Sequence, residues 1–521
     1  MDSLIQRFSG LVKGVISGFD RIVFKGRILP LLRAEGAESF CERRRILNKD
    51  YRDWMEARSA ALVRSVEQYA LRETGQPVVH LNSYRIDKEK TARERQRERG
   101  IARGLIGVWS CQESAFSYKS QFCPGSPRPR LRRYPTRCNH LYLYFDHAEF
   151  GFMNIRVQTW FPYDLQICMN GREWLRRALE REGLHFTMSG NKLLEVEDFA
   201  RARELLVAPL AWSWASLLDG FLPTAFPTLR ETLGPHLSYY WTCWQSEWAT
   251  DLIFRTAADL DGFSDALIRH AFMTGTATRV LRYLGRPVTQ AGGPRADFHG
   301  DVHSQLLEFH DGVRVRHWLD QNSAKAYTEL NNLRLEATVN DPTVFYVHRH
   351  ARRESPQAPK QLRPLRKGVA DLPLRARVSQ EINDRLATQL ATFDNDTPLG
   401  DVLAPVTRAR VHDGRRLRAL DPTGKDRELL KAIADPRFTV SGLTNVELRG
   451  QLQGTAWAGA RTEAQLSARI TRHLRLLRDH GLIRKVPHRR RYHLTASGCQ
   501  LTTAVLASLQ ASTRRLMELA A

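Results

Sequence analysis

The sequence predicts a multidomain α+β protein. Its body is built on a mixed or antiparallel sheet with helical segments, and a compact module of helices and a basic hairpin closes the chain. Three observations predict this. The length, 521 residues, corresponds to about three or four domains at roughly 100–200 residues each. The composition, 42% hydrophobic and 26% charged, is that of a globular protein large enough to bury sizeable cores, which excludes disorder as the overall state. Residues 141–169 carry the strongest period-two alternation in the chain, with Ile155, Val157 and Thr159 on one side of a strand.

Taken in order, Leu11 to Leu32 reads as an apolar segment with polar interruptions, in which Val15 to Gly26 is extended chain with a turn or bulge. Residues 37–73 read as helix, with Leu47, Trp54, Ala61, Val66 and Leu71 among charges. A short strand at 77–81, a highly charged helix at 87–104 and a buried strand at 104–109 follow, and then a basic, Pro-rich loop over 124–137. Three strands are expected at 141–145, 152–161 and 165–169, the last closed by a turn at Asn170-Gly171. After a helix at 172–182 and a hairpin at 184–196, residues 200–285 read as mainly helical and Trp-rich. Strands return at 300–350, a basic loop occupies 351–368 and helices fill 370–440. The expected organisation is an N-terminal α+β domain with a basic loop (1–205), a helical Trp-rich region (206–290), a β-rich segment (291–350), a basic loop and helical connector (351–440) and the C-terminal module (441–521).

The charge narrows the function. There are 79 Lys and Arg against 56 Asp and Glu, a net charge of +23. Residues 81–140 and 441–521 each carry a net charge of +9, so two basic surfaces are expected rather than a uniform coat. Such fields favour polyanions, nucleic acid first and an anionic membrane surface second. No apolar run approaches 18 residues and no secretory signal is expected, so a spanning segment is not predicted. Seven Cys, none in a Cys-x-x-Cys pair, fit a reducing cytoplasm better than a disulfide framework. Cys111, Cys123, Cys138 and His140 match no compact zinc spacing. Phosphate-binding glycine loops, dinucleotide fingerprints and the Gly-x-Ser-x-Gly elbow are absent from the sequence.

The C-terminal 80 residues carry the most specific pattern. Thr444, three residues before Glu447, starts a short helix as a capping box. Thr462 to His480 forms a longer helix ended by Gly481, with Leu466, Ile470, Leu474 and Leu477 on one face and Arg469, Arg472, Arg475 and Arg478 on the other. Arg484 and Lys485, then Arg489, Arg490 and Arg491, flank the turn of a basic hairpin before a final helix. The run Leu474 to Ile483 followed by the Tyr492-His493-Leu494-Thr495 strand end resembles bacterial winged helix-turn-helix regulators. That resemblance implies a helix in a major groove and a hairpin along the phosphate backbone. A solvated basic face, or a winged helix used for protein contacts, is the alternative reading.

The body offers four candidate constellations. Asn322 to Tyr327 beside Leu333 to Asn340 is faintly similar to a strand pair of rolling-circle replication initiators. That resemblance implies Tyr327 as a nucleophile on a DNA phosphate and Glu336 as a base or a ligand for Mg²⁺ or Mn²⁺. An amphipathic hairpin with Glu336 paired to Arg334, Arg314 or Arg316 explains the same residues. His299, Asp301 and His303, with His310, His317, His348 and His350, contain spacings that a divalent ion can use, although core or surface histidines are commoner. Asp20 stands alone in an apolar strand, which is costly unless it is paired or functional. With Asp146 and Glu336 it makes a candidate carboxylate metal set, or it pairs with Arg21 or Arg27. Finally Arg128, Arg130, Arg132, Arg133 and Arg137, with Tyr142, Tyr144, Arg156, Gln158 and Trp160, make an aromatic and basic surface suited to unpaired bases and phosphates. The strings Asn154 to Pro162 and Asn170 to Leu175 are also similar to a group of uncharacterised bacterial proteins, which implies no activity. The expected function is a nucleic-acid-binding protein of mobile-element or plasmid type that recognises DNA or structured RNA and cuts or joins a strand. The alternative is a non-enzymatic regulator or RNA-binding protein, with a homodimer compatible with either.

Overall fold

The computed structural model describes every residue except 287–299, 310–311, 352–356, 358, 394–396, 413, 436–437, 439–441, 487–489, 513–516 and 518–521. The chain divides into two units assembled from separate stretches of sequence. Met1–Val15, Thr250–Ala337 and Gln380–Ala521 form the first, and Ile16–Ala249 with Thr338–Ser379 form the second. Both combine helices with strands.

A large mixed sheet organises the second unit. Its strands are β1 (Val12–Arg27), β2 (Val79–Leu81), β3 (Gly104–Gln121), β4 (Arg130–His147), β5 (Gly151–Gln158) and β6 (Leu165–Asn170). A small hairpin, β7 (Phe186–Ser189) and β8 (Lys192–Val196), stands apart, and β9 (Tyr240–Phe254) completes the sheet. The order is β9-β1-β6-β5-β4-β3-β2. β2 runs parallel to β3, whereas the β1-β6, β6-β5, β5-β4 and β4-β3 pairings are antiparallel. The apolar row Leu143, Ile155, Ile167 and Phe24, matched strand to strand by register, faces the core. There Phe24 meets Trp214 at 5.0 Å between ring centroids, and Trp174 meets Trp214 at 6.3 Å. On the other face the helix Lys88–Glu98 packs through Ala92 among Trp109, Tyr142, Tyr144 and Phe152.

Several elements depart from the sequence expectation for identifiable reasons. Residues 200–285 are mainly helical as expected, but the strand β9 interrupts them and runs through Trp241, Trp244 and Trp248. These rings recur at i, i+3 and i+7, which imitates a helical face, and the β preference of aromatic side chains decides the outcome. The basic stretch 124–137 is loop only as far as Pro129. From Arg130 it is strand, registered with β3 from Gln121↔Arg130 onward. Pro135 is tolerated there because β5 pairs with β4 only at His140 and beyond, which leaves an edge that needs no donor. Asn170-Gly171 is not a hairpin turn but the start of the helix Gly171–Glu182. The Asn170 carboxamide caps it by accepting from the backbone N–H of Arg172 at 2.8 Å and of Glu173 at 3.2 Å. The helix expected over 37–73 is two helices, Ala34–Arg43 and Tyr51–Thr74, separated where Arg45 takes φ 57°.

In the first unit β10 (Val302–Phe309), β11 (Gly312–Leu319), β12 (Asn322–Glu329) and β13 (Asn332–Val339) lie side by side in sequence order, the first three antiparallel. The C-terminal elements are the helices Asn445–Leu452, Glu463–Asp479 and Ala496–Gln510 with the paired strands Ile483–Lys485 and Tyr492–Leu494. Thr444 caps the first helix with Glu447 as expected, and Thr462 and Gln465 form a second capping box. Gly481, at φ 76°, ends the long helix, a conformation that favours glycine. The core of this module starts before residue 441, since Leu429, Leu430 and Ile433 of the helix Arg427–Ile433 pack with Leu448, Ile470 and Leu474. Among the described residues no single helix is long and apolar enough to cross a membrane.

Gly171 sits where a Cβ would lie 2.0 Å from the Phe19 carbonyl oxygen. Gly171→Ala is expected to lower stability by about 1–3 kcal/mol through this overlap, and Asn170→Ala by about 1 kcal/mol through the lost cap. Urea unfolding of both variants checks this; a midpoint unchanged from wild type would contradict the packing described for this helix start.

Candidate functional site

The polar face of the second unit's sheet, partly covered by the helix Lys88–Glu98, is set by its register. Tyr142 of β4, Arg156 of β5, Gln166 of β6 and Lys25 of β1 stand directly opposite one another across four strands. Directly opposed residues project to the same face, so the four side chains form one row. The next row is Tyr144, Asn154, Cys168 and Val23. Beyond Lys25 the indole of Trp244, 40% exposed, lies with its ring centroid 3.5 Å from the Lys25 ammonium and 5.5 Å from that of Lys367. This is cation–π distance on both counts.

A carboxylate anchors the other end of the row. Glu113 accepts from the Tyr142 hydroxyl at 2.5 Å and lies 3.3 Å from Lys88 and 3.4 Å from Arg156. Burial alone would raise its pKa; the Tyr142 hydroxyl and the charges of Arg156, His140 and Lys88 outweigh that and hold it below the usual carboxylate range. His140, 1% exposed, is pushed down to about 4 by burial and by Arg156. Lys25 is lowered to about 8 by burial, then by the neighbouring charges of Arg27 and Arg156. Positive charge is therefore crowded along the row beyond what its acids neutralise, an arrangement that an arriving anion relieves.

The β3–β4 hairpin extends this surface. Arg128 is exposed in the connecting loop, and Arg130, Arg132, Arg133 and Arg137 are exposed along β4. Arg133 lies over Phe116 at 4.3 Å and Lys119 over Tyr134 at 5.3 Å, and Phe116 is itself exposed. Arg130 pairs with Glu38 at 2.6 Å and Arg132 donates to the Cys123 sulfur. Trp160, expected to share a face with Arg156 and Gln158, instead lies beyond the end of β5, and Gln158 is buried with its amide on the Trp160 and Phe116 carbonyls. Trp244 supplies the exposed ring.

The expected carboxylate set is not drawn together within the second unit. Asp20 accepts from Asn191 at 2.8 Å, and Asp146 is held by Arg177 and by Gln96 at 2.7 Å. The two lie on β1 and β4, three strand spacings apart, roughly 14 Å. Glu336 belongs to the first unit, where it pairs with Lys325 and receives the Tyr327 hydroxyl at 3.4 Å. Tyr327 and Glu336 are thus neighbours, with Lys325 rather than an arginine as the cation. Arg334 pairs with Asp251 at 3.5 Å in the core. Among the described residues no group of three or more His, Cys, Asp or Glu converges as a metal site. His317 is fully buried against Ser304, and His303 stacks on Trp318 at 5.0 Å. His299 and His310 lie outside the described residues.

In the C-terminal module Arg472, Arg475 and Arg478 are exposed on the helix Glu463–Asp479, and Arg475 reaches Asp479 at 3.7 Å. Arg469 lies over Trp457 at 4.2 Å. Arg484, Lys485 and Arg490 are exposed on the hairpin, whereas Arg491 turns back to the Gly442 carbonyl at 3.1 Å and to Glu447. Arg489 lies outside the described residues. No protein-family model, curated protein or solved structure matches this chain.

His140 titrates lower in the folded chain than in the unfolded one, so the unfolded state takes up more protons between about pH 6.5 and 4. Stability is therefore expected to fall as pH drops through that window, and His140→Gln to reduce the steepness of the fall. Chemical denaturation at a series of pH values checks this, and an identical pH profile in the variant would contradict the buried neutral imidazole.

Proposed function

We propose that the chain binds nucleic acid at two places: an unpaired strand on the sheet face of the second unit, and duplex on the C-terminal module. The observation that carries the first is the Trp244 ring flanked by Lys25 and Lys367, in line with Gln166 and Arg156. Aromatic rings stack bases without sequence preference, and cations at strand spacing hold successive phosphates. The β3–β4 arm adds Arg128, Arg130, Arg132, Arg133 and Arg137 beside Phe116 and Tyr134. Arg and Lys contacts to phosphate make such binding strongly salt-dependent.

The second place is supported by the element order in the C-terminal module. A helix (Arg427–Ile433), an extended residue at Leu443, two helices and a hairpin follow one another, and Leu443 pairs with Tyr492 at the side of that hairpin. Asn445 ties the two helices by donating to the Ser467 carbonyl and Thr471 hydroxyl at 2.9 Å. This order supports the winged-helix reading, under which Arg472, Arg475 and Arg478 would meet a groove and Arg484, Lys485 and Arg490 the backbone.

A second reading adds strand cleavage. Tyr327 with its hydroxyl on Glu336 beside Lys325 supports it: the phenol oxygen bonds to phosphorus, its proton passes to Glu336, and the displaced nucleotide oxygen breaks from phosphorus and takes up that proton to leave as a hydroxyl. A covalent adduct formed in Mg²⁺ or Mn²⁺ and lost in Tyr327→Phe supports this reading; turnover unchanged in that variant rejects it.

For binding, Trp244→Ala and Lys25→Met are each expected to weaken single-stranded DNA or RNA by about fivefold or more. Arg472→Ala with Arg475→Ala should weaken duplex while leaving single strands less affected. Raising pH through about 8 neutralises Lys25, so wild-type affinity for single strands should fall over that range and Lys25→Met should not follow it. Fluorescence anisotropy over a salt and pH series measures all three; equal affinity in wild type and Trp244→Ala would reject the sheet as the strand-binding surface.

A further inference from the structure

Between the helix Lys88–Glu98 and the sheet face lies a cavity of about 600 Å³, lined on the sheet side by Arg21, Tyr142, Tyr144, Asn154, Gln166 and Cys168. The size is within the range of small-molecule sites. Its helix side is lined by Lys90 and Arg97, by Arg93 paired to Glu89, and by the buried Lys88 that Glu113 holds, with Asp87 beside them.

Three polar side chains in this lining have no hydrogen-bond partner among the described residues: the Tyr144 hydroxyl and the carboxamides of Asn154 and Gln166. Tyr144 is 4% and Asn154 8% exposed, Gln166 is half-buried, and all three line the cavity. A buried polar group without a partner is costly, and in a site it is the usual mark of a group that waits for a ligand. Neighbouring polar groups behave differently: Tyr142 donates to Glu113, and Gln158 donates to two carbonyls. Register explains why the three converge, since Tyr144 and Asn154 are directly opposed on β4 and β5 and Gln166 lies one row along on β6.

We infer that this cavity takes one nucleotide. Two carboxamides, each both donor and acceptor, match the mixed donor and acceptor edge of a nucleobase. The Tyr144 hydroxyl adds a third polar contact, and the cations at the rim suit its phosphate. Gln166 belongs both to the cavity and to the row that leads to Lys25 and Trp244, so a strand on the sheet can turn one base into the cavity and keep its neighbours on the platform. That the nucleotide comes from a strand rests on the nucleic-acid reading above; the cavity chemistry itself fits a free nucleoside monophosphate equally.

The test uses the full chain with three probes: a short single-stranded oligonucleotide, a fully abasic strand of the same length, and AMP and UMP as free nucleotides. Asn154→Ala should weaken the base-bearing strand about tenfold and leave the abasic strand unchanged, and Gln166→Ala should weaken the base-bearing strand more than the abasic one. Tyr144→Phe, which removes only a hydroxyl and is expected to fold normally by thermal melt, should weaken it in the same direction. Equal affinities in wild type and all three variants, or equal losses on both strands, would overturn base recognition in the cavity. Binding of AMP or UMP that is sensitive to Asn154→Ala, with no oligonucleotide bound at all, would keep the cavity's ligand class and overturn the strand as its source. Absence of binding to every probe would overturn both readings.

Discussion

The antiparallel register that runs from β4 through β5 and β6 to β1 is the constraint on which the rest depends. A slip of one residue at any of these pairings would send Arg156, Gln166 or Lys25 to the opposite face and bring an apolar neighbour outward. The apolar row Leu143, Ile155, Ile167 and Phe24 fixes that register by burial against Trp214 and its neighbours. The core thereby dictates where the polar row stands. The polar face is a consequence of hydrophobic packing on the hidden one, which is why an array of cations and aromatic rings can be held in a rigid line without pairing one to one with acids.

Glu113 shows how that line tolerates its own charge. It engages Lys88, Arg156 and the Tyr142 hydroxyl at once, so one carboxylate orients three side chains. It does not neutralise them, and Lys25 further along is lowered by burial first and then by the charges of Arg27 and Arg156. The surface is therefore held in a state of unrelieved positive charge near stacking rings. The cavity beside it adds groups of the complementary kind, neutral donors and acceptors without a partner among the described residues. Cations and carboxamides thus occur on one sheet face, placed by one set of strand pairings.

Much of this was legible in the sequence, and the gaps have physical causes. The 141–169 strands were readable because alternation is strong where one face is buried. The capping box at Thr444 and Glu447 and the helix end at Gly481 were readable because such signals are local. Arg156 and the β4 arginines were found from charge and alternation. Trp244 and Lys25 were not, because each sits far from the 141–169 strands in sequence and joins them only through the β9-β1-β6 order. Trp241, Trp244 and Trp248 also sat at helical spacing, which hid a strand. Glu113 had a signal that was readable: it is the only acid between residues 99 and 145, in the most basic part of the chain, and a lone acid there is well placed as a hub. Asp20 drew attention as a lone acid in an apolar strand, and the fold answers it with Asn191, a residue whose proximity no local pattern reveals.

The most direct measurement is ultraviolet crosslinking of a photoreactive single-stranded oligonucleotide to the full chain, with the adducts mapped by mass spectrometry. Adducts on peptides carrying Trp244, Tyr142 or Tyr144, diminished by an excess of unlabelled strand, are the predicted result. Adducts confined to residues 441–521, or spread without preference over the basic surface, would contradict the assignment of the β9-β1-β6-β5-β4 face as the platform for an unpaired strand.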